Sequence, residues 1–314
     1  MMTCPHCYNT DVLKYGYRYN KGIATSRVYK CKRCNKRFSQ LFEDRAKEYH
    51  DQMPNILIFD IETSLMEVYV WGLYKQFISH NNIIKDKNGE FKSWFMLSYA
   101  AKWLYDDNIL SDIVTPEEAR NRDDKRILES IWLLLERADI VIAHNGDRFD
   151  LRKINARFIS NDIKPPTSFK TIDTLKVTRR NFAFESYKQD FLTKKFKLQE
   201  KKETGGIDLW IKVQQGNQKA IDKMLDYNIH DVKGLEDLYL KIRPYIKNHP
   251  NLGVMLDEDV CPNCGSPNLE ETNSEYFTSA NRFPVFRCSD CKTPYIRHKK
   301  NSSTRSTNMR SVPT

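Results

Sequence analysis

The chain has 314 residues, 29% of them charged, and a formal net charge of +10. That length holds one catalytic domain of about 150–250 residues plus small modules, and it excludes a polymerase-sized assembly. No apolar run reaches the ~18 residues of a membrane span, and the start Met1-Met2-Thr3-Cys4 lacks the apolar core of a secretory signal, so a cytoplasmic chain with no membrane partner is expected.

Charge and cysteine are both unevenly placed. Residues 1–42 hold nine Lys or Arg against one acid, residues 261–314 hold eight against four, and residues 43–260 are left with a net charge of −2. Basic flanks suggest a polyanionic partner, nucleic acid, with plain solubility charge as the alternative. All eight cysteines lie in those flanks. Cys4-Pro-His-Cys7 is followed after 23 residues by Cys31-Lys-Arg-Cys34, and Cys261-Pro-Asn-Cys264 after the same gap by Cys288-Ser-Asp-Cys291. The second copy follows the first at an offset of 257, which brings Pro5 onto Pro262, Tyr29 onto Phe286, Lys30 onto Arg287 and Phe38 onto Tyr295, so one module occurs twice. Paired Cys-x-x-Cys knuckles suit a tetrahedral Cys4 site for structural zinc, because one turn aims both thiolates at one ion. Disulfides fit an intracellular chain poorly, and four thiolates leave no open position for a catalytic zinc.

Each module resembles the zinc ribbons of transposase and transcription-related proteins. In the first copy Tyr15, Arg18, Tyr19 and Arg27 are candidate substrate contacts, basic groups for phosphates and aromatic rings for bases. Tyr29 and Phe38 read instead as the small core of the ribbon, since their counterparts are aromatic in a less basic copy. His6 reads as a bystander, because four cysteines complete the ligand set.

From residue 51 the pattern becomes α/β. The apolar run Ile56-Leu57-Ile58-Phe59-Asp60-Ile61-Glu62-Thr63 reads as a strand, and its period of 2 puts Asp60 and Glu62 on one face. Such neighbours repel unless a divalent cation lies between them; the alternative is a strand emerging into solvent at Asp60. Glu67–Gly72 reads as a second strand and Trp94–Leu104 as a third, together an antiparallel meander. Pro116-Glu117-Glu118 opens a helix whose apolar face runs through Ile127, Ile131, Leu134 and Leu135. A fully apolar fourth strand, Asp139–His144, suits a parallel neighbour of the first. It ends in His144-Asn145-Gly146-Asp147-Arg148-Phe149-Asp150, which leads into a helix with Leu151, Ile154 and Phe158 on one side. Open α/β folds bind ligands at such strand ends, although Asp150 also suits an ordinary first helical turn and Asn145-Gly146 an ordinary turn. A helix over about Gln218–Ile242 carries Tyr227 and Asp231 four residues apart, hence on one face. His230 lies about 100° away from Asp231 around that helix and reads as a surface or supporting residue.

Together these motifs resemble the DEDD superfamily of 3′ to 5′ exonucleases. Asp60-Ile61-Glu62-Thr63 is similar to its first motif, His144-Asn145 with Phe149-Asp150 to its second, and Tyr227 with Asp231 to its third, in the form that marks the tyrosine branch. The resemblance spans roughly residues 51–247, including Asp173-Thr174-Leu175 and Arg243-Pro244-Tyr245; the two ribbons depart from it. It implies a ribonuclease-H-like mixed sheet with flanking helices; the cysteine pattern adds zinc ribbons at 1–42 and 258–298, and the Ser- and Thr-rich composition a disordered tail at 299–314. It also implies two-metal phosphodiester hydrolysis with two Mg²⁺ or Mn²⁺. Asp60, Glu62 and Asp231 would hold one ion, Asp60 and Asp150 the other, while Tyr227 orients the attacking water and Asn145 contacts substrate. DNA is favoured over RNA. A ribonuclease-H-like endonuclease or transposase-related nuclease, and a non-catalytic ribbon adaptor, are the other readings.

Overall fold

A computed structural model describes residues 3–7, 9–20, 23–41, 53–74, 77–199, 202, 205–297 and 309–311. The chain separates into two units, Met1–Met53 and Pro54–Thr314.

The first unit is a three-stranded antiparallel sheet of β1 (Val12–Asn20), β2 (Ile23–Cys31) and β3 (Arg37–Leu41), in the order β1-β2-β3. Tyr29 and Phe38 are register partners whose rings stack at 5.6 Å, with Tyr29 buried, so this pair is the ribbon's core as expected. The side chains of Tyr15, Arg18, Tyr19 and Arg27 lie outside the described residues.

The second unit is built on β4 (Ile56–Thr63), which is central because its first four residues are buried on both faces. Its antiparallel neighbour is β5 (Met96–Trp103), followed outward by β6 (Ile109–Ile113). Glu67–Gly72 is not a strand of this meander: Val68 makes a lone bridge to Ile83, and Trp71 is 99% exposed. β5 takes the sheet edge that segment would need, because its run is buried along nearly its whole length.

The helix expected from Pro116 onward is two helices. α1 (Pro116–Asn121) starts with a Thr115/Glu118 capping box and ends where Arg122 adopts φ 57°. α2 (Lys125–Arg137) then buries Ile127, Leu128, Ile131 and Leu135. The break is held from both sides. Arg122 pairs with Glu67 and donates to the carbonyls of Leu65, Lys92 and Ser93. Asp124 accepts from the Met96 amide (2.8 Å) and is ion-paired to Arg157 (2.6 Å).

β7 (Ile140–Ala143) lies parallel to β4, α3 (Asp150–Ser160) follows it, and β8 (Lys170–Asp173) completes the sheet order β6-β5-β4-β7-β8. Leu57, Phe59 and Ile61 join Ile127 and Ile131 of α2 and Ile154 and Phe158 of α3 in the main core. The helices α4 (Thr174–Asn181), α5 (Gln189–Lys195) and α6 (Ile207–Gln214) pack on α7 (Gln218–Ile242), which crosses β4 and β5. Asp173 caps α4 by accepting from the amides of Leu175 and Lys176.

A short α8 (Leu252–Leu256) leads into the second ribbon: β9 (Leu269–Phe277), β10 (Arg282–Cys288) and β11 (Pro294–Arg297), with β12 (Met309–Ser311) pairing beside β11. Phe286 and Tyr295 stack at 5.7 Å, repeating the Tyr29–Phe38 pair. Asn263, inside the first knuckle, donates to the carbonyls of Arg243 and Ile246 and fixes this ribbon to the end of α7. The rest of the tail expected to be disordered lies outside the described residues.

Candidate active site

Alternation along β4 directs Asp60 and Glu62 to the face that α7 covers. On that helix the Asn228 amide donates to Asp60 Oδ2 (2.8 Å) and to the Asp60 carbonyl (3.3 Å), while its own oxygen accepts from Ser98 Oγ (2.9 Å) on β5. One buried amide thereby fixes the carboxyl of β4 against two other elements. Trp210 of α6 donates to Glu62 Oε2 (3.2 Å), and its ring meets that of Tyr227 edge-on at 6.3 Å. Tyr227 lies one turn of α7 before Asp231, close enough that each affects the other's titration. Carboxylate oxygens of Asp60, Glu62 and Asp231 all lie within 4.8 Å of one another. Asp150, the first residue of α3 and buried, arrives from beside the strand, its Oδ1 accepting from the Ile61 amide at 3.3 Å. The structure therefore brings the four acids and Tyr227 together.

Packing acids this closely has a clear electrostatic consequence. Burial holds Asp60 well above the usual carboxylate range, with repulsion from Asp150, Glu62 and Asp231 adding to it. Burial, then repulsion from Asp231, pushes Glu62 to about 8. Asp150 rises to about 7 through burial, against the pull of backbone amides, and Asp231 to about 6 through burial, opposed by the Tyr227 hydroxyl and by His230. Burial and the neighbouring acids raise the Tyr227 phenol, so it stays protonated at neutral pH. Among the described residues no Lys or Arg is ion-paired with these carboxylates. A half-buried set of hard oxygen donors without a compensating Lys or Arg fits divalent ions such as Mg²⁺ or Mn²⁺.

The second motif is a turn built for close approach. Asn145 adopts φ 68°, its amide donates to Asp173 Oδ1 (3.0 Å), and its carbonyl accepts from the amides of Arg148 and Phe149. A Cβ on Gly146 would stand 2.4 Å from that of Ala143, so only glycine fits there. His144 is half-buried and bonded to Thr174 Oγ1 and the Tyr187 carbonyl, both at 2.9 Å. Because a carbonyl only accepts, Nε2 carries the ring hydrogen, and burial keeps the imidazole neutral. His144 latches the turn to the segment after α4. His230 is bonded through Nδ1 to Gln199 (3.1 Å).

Asn228, Trp210 and Gln189, which donates to the Asp231 carbonyl (2.7 Å), are absent from the sequence-derived set. Asn228 carried a signal, since it precedes Asp231 by three and shares its helical face. Nothing local marks Trp210 or Gln189.

The thiols also converge. Cys4–Cys34 and Cys7–Cys31 are 3.6 and 3.5 Å apart, and Cys261–Cys291 and Cys264–Cys288 are 3.5 and 3.6 Å apart. A tetrahedron with Zn–S bonds of about 2.3 Å has edges of about 3.8 Å, whereas a disulfide is about 2.05 Å. Both sets fit zinc. The Cys34 amide donates to Cys31 Sγ (3.5 Å) and, as the largest influence, lowers that thiol to about 6, toward the thiolate a metal needs.

Residues 99–243 match the family model described as the RNase_H superfamily, a span that includes Asp150, Tyr227 and Asp231 and begins after Asp60 and Glu62. A relative, the PolC-type DNA polymerase III of Ureaplasma parvum, is 26% identical over 171 residues, covering 49% of this chain and 11% of the relative. The family B DNA polymerase of the archaeon Pyrobaculum calidifontis overlays with a TM-score of 0.43 and 14% identity, over 65% of this chain and 27% of that one. This chain thus spans only a small part of the proteins it matches. With its mixed sheet, its flanking helices and the matched span, the domain carrying these acids is ribonuclease-H-like, as the motifs implied, and the chain adds two Cys4 clusters of zinc-ribbon form.

Proposed function

We propose that this chain is a metal-dependent 3′ to 5′ exonuclease acting on nucleic acid, with a catalytic domain at 51–247 and zinc ribbons at 1–42 and 258–298. The observation that carries this reading is the convergence of Asp60, Glu62 and Asp231 within 4.8 Å, with Asp150 beside them and Tyr227 one helical turn from Asp231. Asp60, Glu62 and Asp231 would hold one divalent cation, Asp60 and Asp150 a second. Bound there, the ions would neutralise the charge that builds up in an in-line displacement at phosphorus. Asn228 and Trp210 hold the Asp60 and Glu62 carboxyls in orientation before any ion arrives. Tyr227, kept protonated, would direct its hydrogen toward Asp231 and leave an oxygen lone pair for the attacking water. That contact fixes the direction of the water's own lone pair, so the tyrosine orients and does not act as the base. The name of the relative, a DNA polymerase, supports DNA over RNA as substrate. Incubating the protein with linear and circular single strands in Mg²⁺ or Mn²⁺ tests the reading: mononucleotides should appear from the linear strand alone. Cutting of the circle would favour an endonuclease, and no cutting of either would favour a ribbon adaptor.

A further inference from the structure

The net −2 of residues 43–260 conceals a separation of charge. Residues 176–202 hold nine Lys or Arg against three acids, a net of +6, so the rest of that span carries −8. Within it, residues 176–195 make up most of α4, all of α5 and the connection between them, and they abut the acid recess. Gln189 donates to the Asp231 carbonyl (2.7 Å), His144 is bonded to the Tyr187 carbonyl (2.9 Å), and Lys176 pairs with Asp147 (2.5 Å). Arg179, Arg180, Lys188, Lys194 and Lys197 are exposed, and none of them is ion-paired to an acid among the described residues. The aromatic residues interleaved with them are already engaged with one another. Phe182 and Phe184 stack at 5.0 Å, Phe184 meets Phe196 edge-on at 5.5 Å, and Phe182 meets Tyr245 at 5.1 Å. Those rings stiffen the platform and leave the cations as its outward chemistry.

We propose that this surface is a sequence-independent binding track for the phosphodiester backbone of the strand whose end enters the acid recess. The inference rests on the nuclease reading and adds to it a grip within the catalytic domain itself. Charge complementarity and position favour that occupant. A polyanion must approach a cluster of carboxylates, and the cations lie on the elements that hold Asp231 and the His144 turn. An anionic membrane would call for free apolar side chains among the charges, but here the rings pack on each other. Backbone contact predicts strong salt dependence and indifference to base identity.

The test is a salt titration of binding to a labelled 20-nucleotide oligothymidylate, using the full chain in an Asp231→Asn background with Mg²⁺ so that the strand survives. The triple substitution Arg179→Gln/Arg180→Gln/Lys194→Gln should flatten the slope of log K against log salt by about 2, or about 0.7 per lost contact on a single strand. An oligoadenylate should give the same change. Substituting three exposed lysines elsewhere, Lys125, Lys164 and Lys219, with Gln should leave the slope nearly intact. An unchanged slope in the triple variant, or an equal loss in the control, overturns the track while leaving the nuclease reading standing. If the unsubstituted surface binds no nucleic acid at all, the nuclease reading falls and the track falls with it.

Discussion

Tyr227 and Asp231 face the same recess from one turn of α7, and because the phenol is no carboxylate its contribution is separable from that of the acids. Tyr227→Phe should keep the helix and the acid cluster yet slow single-turnover cleavage by about 10² to 10⁴. His230→Ala should cost far less, because that ring is bonded to Gln199. A larger loss from His230→Ala would move the water-orienting role to histidine. The raised carboxyls give a second test. Glu62 at about 8, Asp150 at about 7 and Asp231 at about 6 all exceed the ~4 of an unfolded carboxyl, so the domain without divalent ions holds protons that unfolding releases. Its stability should be fullest below about pH 4 as far as these groups are concerned, and should be lost as pH rises through 8. Ions compete with those protons, so the rise in melting temperature on adding Mn²⁺ should be larger at pH 8.5 than at pH 5.5; the reverse order would count against these acids as the ion site. Asn228→Leu should weaken Mn²⁺ binding by 10- to 100-fold, the usual cost of losing a group that orients a ligand. The acids were legible in the sequence because carboxylates in an apolar strand are conspicuous. Asn228 was only faintly so: it shares the helical face of Asp231, but an amide facing a core becomes significant only once its partner Asp60 is in place.

The two ribbons share a cysteine spacing and an aromatic pair but not a setting. Asn263 in the second is bonded to the Arg243 and Ile246 carbonyls at the end of the helix that carries Asp231, while the first belongs to a separate unit. Native protein should contain two zinc ions. Cys4→Ser should lose one and leave the melting of the catalytic domain unchanged, whereas Cys264→Ser should lose one and lower it. Elemental analysis with calorimetry distinguishes the outcomes, and equal destabilisation by both substitutions would contradict this division. The elements show where sequence patterns stop being informative. Glu67–Gly72 alternates like a strand, but strand formation needs a free edge, and β5 occupies the one beside β4. The single helix expected from Pro116 breaks at Arg122 because Asp123 accepts from the Lys125 amide at the start of the next helix and the Arg122 side chain is tied to Leu65, Glu67, Lys92 and Ser93. Helix α7, by contrast, has the bounds its periodicity predicted, since a long amphipathic run depends little on distant partners.

Across the whole molecule, charge separates holding from cutting. On the proposed reading, the +8 of residues 1–42 would add affinity to whatever the α4–α5 surface supplies, and the acid cluster would supply the chemistry. Deleting residues 1–42 should weaken binding and flatten its salt dependence while leaving cleavage at saturating substrate within about tenfold, a barrier change of only ~1.4 kcal/mol. Asp231→Asn should keep the salt dependence and abolish cleavage. An unchanged slope in the deletion would mean that the first ribbon recruits a protein and does not grip nucleic acid. The most direct measurement is single-turnover digestion of a 5′-labelled linear DNA strand in Mg²⁺, with free and blocked 3′ ends, by the intact protein and by Asp60→Asn. A ladder shortening one nucleotide at a time from the free 3′ end, absent with the blocked end and absent in the variant, is the predicted result. Internal fragments from the blocked strand, or undiminished cleavage by Asp60→Asn, would contradict the account.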